Sequence, residues 1–317
     1  MDIYDANIYE FNDLFLIDLP QKMTGYRKFT SSWVIKEGSS AVLVDVGPAS
    51  TIPLLKKSLD SLGVKQVDYI LLTHIHIDHA GGTGDLLEFY PEARVVVNEK
   101  GEKHLINPEK LMEGSRKVLG DSIVGVYGEI KPVPAENIYR GEIEFAGDEI
   151  QVIKTPGHAV HHQSYVFDKY LFAGEAAGVF HRFEELSEQT GKDTYYARPA
   201  TPPKYIYEVA EESARKLLEV GAKHICYGHF GMADAKKRIE EYLDQQRLWF
   251  ETALDFTRQH PEMSDREIIA EVRKVLMEKD ELISRFNLLD DDVKEREDYY
   301  INNALLGMVG YAREKCS

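Results

Sequence analysis

The chain has 317 residues, 43% hydrophobic and 29% charged, and its 54 acidic residues against 38 basic ones give a formal net charge of −16. That balance belongs to a globular protein: it excludes a disordered or fibrous chain, and no apolar run approaches the roughly 18 residues of a membrane span. The acidity repels phosphate backbones at long range and argues against a nucleic-acid binder, while two cysteines, Cys226 and Cys316, cannot build a disulfide framework. The opening segment MDIYDANIYEF has no basic stretch followed by an apolar one, so the expected setting is the cytoplasm, with no membrane contact.

In chain order, short runs rich in branched and aromatic residues predict strands at 14–18, 31–36 and 41–46. Gly47-Pro48 breaks the chain, and Ser50 is placed to cap a helix over 51–62 with Ile52, Leu55, Leu59 and Leu62 on one face. Residues 68–72 read as a buried strand, 73–82 as a histidine-rich loop, 83–89 as a helix and 94–98 as a strand. Short helices are expected from 101 to 120, then a hairpin over 142–154 turned at Gly147-Asp148. Strands follow at 164–167 and 171–173. The stretch 181–204 is polar, contains Pro199, Pro202 and Pro203, has no clear period, and reads as a long loop. A helix over 206–219 and a strand at 224–227 complete the mixed part. Beyond about residue 234 only helical signals remain: a long helix to Pro261, a capping box at Ser264-x-x-Glu267, and a last helix opened by Asp290–Asp292. The expected organisation is a mixed α/β domain over 1–233 and a helical region over 234–317.

The chemistry is concentrated in Thr73-His74-Ile75-His76-Ile77-Asp78-His79-Ala80-Gly81-Gly82. In extended chain His74, His76 and Asp78 share one side, with Ile75 and Ile77 facing the core. His79 breaks that alternation, so the chain must turn there, and the two glycines permit the turn. Imidazoles and carboxylates crowded at a strand end are costly to bury unpaired, and a divalent metal ion relieves that cost. Two further histidines sit where functional side chains gather, on loops after predicted strands: His158 in Thr155-Pro156-Gly157-His158, and His229 in Tyr227-Gly228-His229.

The HIHIDH run, followed in order by TPGH, Gly174-Glu175 and Gly228-His229, resembles the metallo-β-lactamase superfamily over about residues 8–231. The resemblance implies an αββα sandwich, two mixed sheets packed face to face with helices outside and the metals along one edge. By position it places His74, His76 and His158 on a first metal, and Asp78, His79 and His229 on a second. Asp45, in Val44-Asp45-Val46-Gly47, would orient the ligand loop. The family's bridging aspartate, usually in a Leu-Phe-x-Gly-Asp context, is replaced in Leu171-Phe172-Ala173-Gly174-Glu175 by a glutamate one methylene longer. The implied cofactors are two divalent ions, zinc foremost, with iron or manganese as alternatives. Two ions about 3.5–4 Å apart can share a water and lower its pKa towards ~7, generating a hydroxide that attacks a carbonyl or phosphorus centre, with Asp78 orienting it.

The superfamily contains thioesterases such as glyoxalase II, lactonases, β-lactamases, phosphodiesterases, RNA-processing nucleases and iron-dependent redox enzymes. The reading favoured here is a dinuclear hydrolase of a small ester, thioester or lactone. The alternatives are a non-haem iron oxidoreductase or persulfide enzyme on the same fold, and a phosphodiesterase. The expected partner is a small-molecule substrate. His161, His162, Tyr227, Phe230 and the pair Tyr195-Tyr196 are candidates to line its pocket. Cys226 reads as a small buried hydrophobe. The C-terminal helices could cover the site, pack on the sandwich or form a homodimer interface.

Overall fold

A computed structural model describes residues 7–12 and 14–316. The first sheet has six strands in sequence order, β1 (Ile8–Phe11), β2 (Leu14–Asp18), β3 (Ser31–Glu37), β4 (Ser40–Val44), β5 (Gln66–Leu71) and β6 (Arg94–Val96). Its first four strands pair antiparallel and its last three parallel. Helices α1 (Ile52–Ser61), α2 (Ile77–Ala80), α3 (Thr83–Leu87), α4 (Glu99–Ile106) and α5 (Glu109–Tyr127) are interleaved with it or follow it. A short hairpin of β7 (Glu144–Phe145) and β8 (Asp148–Glu149) leads to the second sheet. That sheet contains β9 (Gln151–Lys154), β10 (Gln163–Phe167) and β11 (Tyr170–Gly174). A detour of β12 (Val179–Arg182), α6 (Glu184–Thr190), β13 (Tyr195–Arg198) and α7 (Tyr207–Glu219) follows, and β14 (His224–Tyr227) and β15 (Met232–Asp234) complete the sheet. Its order is β15-β14-β11-β10-β9, antiparallel except for the parallel pair β11–β14.

Strand alternation builds the layers. Along β4, Ala41 and Leu43 face a core shared with Leu55 and Leu59 of α1, Leu86 of α3 and Leu105 of α4. Val42 and Val44 face the opposite way, into a core with Trp33, Tyr69, Tyr165, Phe172 and Cys226, which lies between the two sheets. Along β11 the same period sends Phe172 between the sheets and Leu171 and Ala173 outward, against Ala214 and Leu217 of α7. The layers are therefore helix, sheet, sheet, helix, as expected, and Cys226 is a buried hydrophobe among them.

The chain closes with α8 (Ala235–Gln259), α9 (Asp265–Lys279), α10 (Glu281–Ser284) and α11 (Asp291–Cys316). Ile239 and Tyr242 of α8 join the outer core of the second sheet, while Trp249 and Ala253 further along the same helix pack against Ile268 and Val272 of α9 and Leu305 and Met308 of α11. The capping box at α9 forms as read: the Ser264 hydroxyl accepts from the Glu267 amide and the Glu267 carboxylate accepts from the Ser264 amide. Among the described residues no helix is long and apolar enough to cross a membrane.

Several local expectations are corrected. Ser50 does not cap α1; it lies inside a turn of 3₁₀ helix, Ala49–Thr51, and the Thr51 hydroxyl donates instead to the Pro48 carbonyl, 2.9 Å away. The hairpin turns at Ala146-Gly147, both with positive φ, one residue before the expected pair. The stretch 181–204 is not a featureless loop: β12 and β13 pair antiparallel around α6, so a tertiary hairpin supplies the backbone partners that no local period announces. The strands β1 and β15 were not foreseen; the last strand was expected at 224–227.

Candidate metal centre

The seven predicted ligands stand at the ends of strands along one edge of the sandwich: after β5 (His74 to His79), after β9 (His158), after β11 (Glu175) and after β14 (His229). The chain stays extended only through His76, which starts α2 with ψ of 151°. The predicted alternation through Asp78 therefore stops two residues early, and a single helical turn presents Asp78 and His79. The two glycines serve space rather than backbone freedom. Neither has a positive φ, and a Cβ on Gly82 would lie 2.3 Å from Ile52 Cδ1.

Hydrogen bonds away from the site decide which ring nitrogens face it. Asp45, whose φ of 55° turns the chain out of β4, accepts from the Thr73 amide and hydroxyl, each at 2.8 Å, and from His79 Nδ1 at 2.9 Å. The Thr73 hydroxyl gives its proton to Asp45 and so accepts from His74 Nδ1 at 3.0 Å. His158 Nδ1 donates to the Ala200 carbonyl at 2.9 Å, and His229 Nδ1 to the Phe29 carbonyl at 3.3 Å. Four imidazoles thus hold a proton on Nδ1 and turn Nε2 inward. His76 contributes Nδ1, 3.0 Å from His158 Nε2.

These atoms form two adjacent groups, His74–His76–His158–Glu175 and Asp78–His79–His229, with ligand atoms in each group within 4.8 Å of one another. Glu175 reaches both. Its Oε2 is 2.9 Å from His158 Nε2, 3.3 Å from His74 Nε2 and 3.5 Å from His79 Nε2, and its Oε1 is 3.3 Å from His229 Nε2. Asp78 Oδ2 is 3.7 Å from Nε2 of both His79 and His229. His74 and His79 are completely enclosed, while Asp78 and His158 keep some exposure.

The residues fit a divalent cation. His74 Nε2 and His79 Nε2 are buried without a hydrogen-bond partner, a costly arrangement for lone pairs unless an ion takes them. Burial, reinforced by neighbouring histidines, holds His74 and His76 well below the ordinary imidazole pKa, in the neutral form a metal needs, whereas for His79 and His158 burial is outweighed by carboxylates, Asp78 and Asp45 in the first case and Glu175 in the second, which raise both rings above it. For Glu175, burial pushes upward, but the His158 and His229 rings prevail and keep the carboxyl well below its usual range, ionised. The donor set, imidazole with carboxylate, is one that suits zinc and its neighbours.

The predicted pocket residues divide. His161 stays beside the cluster, its ring centroid 5.8 Å from that of His76. His162 does not line a pocket: it is fully buried beneath the ligands and accepts from the Glu175 amide at 3.1 Å. Tyr227 is also a core residue, stacked on Phe180 with centroids 5.1 Å apart, because the strand period turns it to the helix-covered face of its sheet. Phe230 packs edge-on against Tyr9 in the core between the sheets. Tyr195 and Tyr196 are buried and donate to Glu241 and Glu297. Sequence reasoning missed Phe29, which stacks on His229 at 4.2 Å, and Tyr300 of α11, which packs on Phe29 at 5.4 Å. Both come from segments remote from any ligand motif. Thr73 and Thr155 were also missed, although each stands inside a ligand motif.

Comparison with known proteins agrees with this geometry. The family model described as the metallo-beta-lactamase superfamily matches residues 25–229. The chain is 30% identical over 238 residues to the metallo-beta-lactamase fold-containing protein ST1585 of Sulfurisphaera tokodaii, covering 73% of this chain and 83% of that one. The crystal structure of ST1585 superposes with a TM-score of 0.60. A metallo-beta-lactamase family protein of Thermus thermophilus, TTHA1429, has the same fold over 96% of this chain and 94% of its own, with a TM-score of 0.64 at 21% identity. The hydroxyacylglutathione hydrolase of Erwinia tasmaniensis is 29% identical over 160 residues, 50% of this chain and 52% of that one. With the motif, the layered sandwich and the clustered ligands all in place, the chain belongs to the metallo-β-lactamase superfamily and is a metal-dependent hydrolase.

Proposed function

We propose that the protein is a dinuclear hydrolase of a small ester, thioester or lactone. His74, His76 and His158 would hold one ion, Asp78, His79 and His229 a second, and Glu175 would touch both. The observation that carries this reading is the Glu175 carboxylate, whose oxygens lie within 3.5 Å of histidines from both groups. The added methylene of glutamate does not confine it to one side, which favours two ions over the single-iron alternative. Divalent ions in such sites supply Lewis acidity and a water of lowered pKa, and zinc suits the donors.

The chain's own residues divide the remaining work. Asp45 and Thr73 hold His74 and His79 in the tautomer that leaves Nε2 free. Asp78 Oδ2 stands at the more open side, where a carboxylate can orient a water or hold a proton. Substrate would approach over His76, Asp78 and His158, the partly exposed members of the set. On the other flank, α11 reaches the centre through Tyr300 and Phe29, which supports a role for the C-terminal helices in covering bound substrate. The likeness to a hydroxyacylglutathione hydrolase makes a thioester the first substrate to try. The acidity of the chain favours a small molecule over a nucleic acid.

The test is metal content per chain by elemental mass spectrometry on protein produced without added metal, followed by thioester, lactone and phosphodiester assays. Two zinc ions per chain and turnover of a thioester or lactone are expected. One iron per chain, with oxygen consumption in place of hydrolysis, would overturn the proposal.

A further inference from the structure

We propose that His162 is a positioning residue that pins the peptide carrying Glu175 and thereby sets the affinity of both halves of the metal centre. This rests on the dinuclear reading and adds a residue that belongs to neither ligand group.

The ring is fully buried, and its bonds leave only one tautomer. The Glu175 amide donates to His162 Nε2 at 3.1 Å, so Nε2 carries no proton. Nδ1 then carries it, and its partner is the Thr155 hydroxyl at 2.8 Å. The Thr155 hydroxyl lies 3.0 Å from the Ser164 hydroxyl, which donates to the Ala173 carbonyl at 3.3 Å. Every donor runs in the same sense: Glu175 amide to His162, His162 to Thr155, Thr155 to Ser164, Ser164 to Ala173. The relay starts and ends on the two residues flanking Gly174. It therefore clamps that one residue from both sides.

Gly174 is where the direction of Glu175 is decided. Its φ is +55°, and a Cβ there would lie 2.5 Å from His162 Nε2 and 2.8 Å from Thr73 Cβ. The chain can leave β11 in this direction only because the position has no side chain and the ring occupies the space. From this peptide Glu175 extends into contact with histidines of both groups. A small displacement of the peptide moves the shared carboxylate against all of them. Without the Nε2 acceptor, the Glu175 amide would be buried and unpaired, a cost the peptide relieves by shifting against the Gly228 amide, which donates to the Gly174 carbonyl at 3.2 Å.

The experiment titrates cobalt(II) into the metal-free full-length protein, following both affinity and the visible spectrum, with melting temperature recorded alongside. His162→Phe keeps a ring of similar size and removes the acceptor. It should weaken cobalt binding 10- to 100-fold and alter the spectrum. His162→Gln returns an acceptor at the reach of Nε2 and should restore affinity and spectrum. Thr155→Val removes the partner of Nδ1, frees the ring to change tautomer, and should fall between the two. A merely structural role would lower the melting temperature of His162→Phe and leave the affinity of the folded protein unchanged. Equal affinity and spectrum in wild type and His162→Phe would overturn the proposal alone. A wild type that takes up no cobalt would overturn the dinuclear reading with it. Should His162→Phe not fold, Thr155→Val carries the same test, and wild-type affinity and spectrum in that variant would overturn the proposal.

Discussion

Two buried charged clusters lie close together in this protein, and they are built on opposite rules. The first is the candidate metal centre, where Nε2 of His74 and of His79 is buried with no hydrogen-bond partner. The second joins β13 to α11. There Glu297 accepts from Arg198 Nε at 2.5 Å, from Arg296 Nε at 2.9 Å and from the Tyr196 hydroxyl at 3.0 Å. Arg296 also donates to the Gly25 carbonyl at 2.6 Å, and Arg198 to the Pro199 carbonyl. This cluster closes on itself with protein atoms, and the metal centre does not. A satisfied buried network reads as architecture, whereas one whose buried ring nitrogens have no protein partner has the chemistry of a binding site. They are also connected along the chain: Ala200, whose carbonyl holds His158, stands two residues after Arg198.

The contrast can be broken at its sharpest point with His76→Ala. Hydrolysis should fall to background and metal content should drop, while the fold and the melting temperature of the metal-free form stay unchanged. Full activity in that variant would mean that the centre lies elsewhere.

Glu297→Ala should do the reverse. Removing one partner of a buried ion pair leaves two guanidinium groups uncompensated, at a cost of about 3–5 kcal/mol. Urea unfolding should report that loss, while the metal content of the molecules that remain folded stays at the wild-type value. The same cluster makes a pH prediction. Burial pushes the Glu297 carboxyl up, but Arg198 and Arg296 outweigh burial and bring it down to about 2, against an ordinary 4.5. A folded-state pKa below the unfolded one contributes stability that is present above pH 4.5 and is lost as pH falls towards 2. At about 1.4 kcal/mol per pKa unit, that is on the order of 3 kcal/mol. Glu297→Gln should flatten this part of the stability curve, and an unchanged slope would remove Glu297 from the account.

The smallest effect is expected where the two clusters meet. Tyr300 packs on Phe29, Arg198 lies over the Tyr300 ring at 5.1 Å, and Arg296 lies over Phe29 at 4.1 Å. Tyr300→Leu, which keeps most of the apolar bulk, should cost about 1 kcal/mol of stability from the lost aromatic contact and raise KM a few-fold with kcat little changed. A kcat loss without a KM change would place Tyr300 in the chemistry rather than beside it.

What could be read in advance follows from how local each signal is. The strand at 41–46 and the capping box at Ser264 were legible because their causes lie within a few residues: side-chain alternation in one case, a hydroxyl and a carboxylate three positions apart in the other. The HIHIDH run was legible because a single strand end cannot bury so many ligating groups without a purpose. Tyr227 and Phe230 were misread as pocket residues because proximity in sequence to His229 says nothing about which face of a strand a ring occupies in a two-sheet sandwich. The hairpin of β12 and β13 was invisible because its strands pair with each other across α6, a partnership that no local period announces.

The sequence by itself determined the mixed α/β class, the helical character of the C-terminal part and the identity of the candidate ligands, since strand period, capping chemistry and residue type are properties of short stretches. Only the tertiary structure decided which nitrogen of each histidine faces inward, because Asp45, Ala200 and Phe29, the acceptors that fix the tautomers, come from distant segments. It alone decided that Glu175 touches both groups and that His162 lies beneath it. Such relations depend on where separate strand ends meet, and that is set by packing two sheets together.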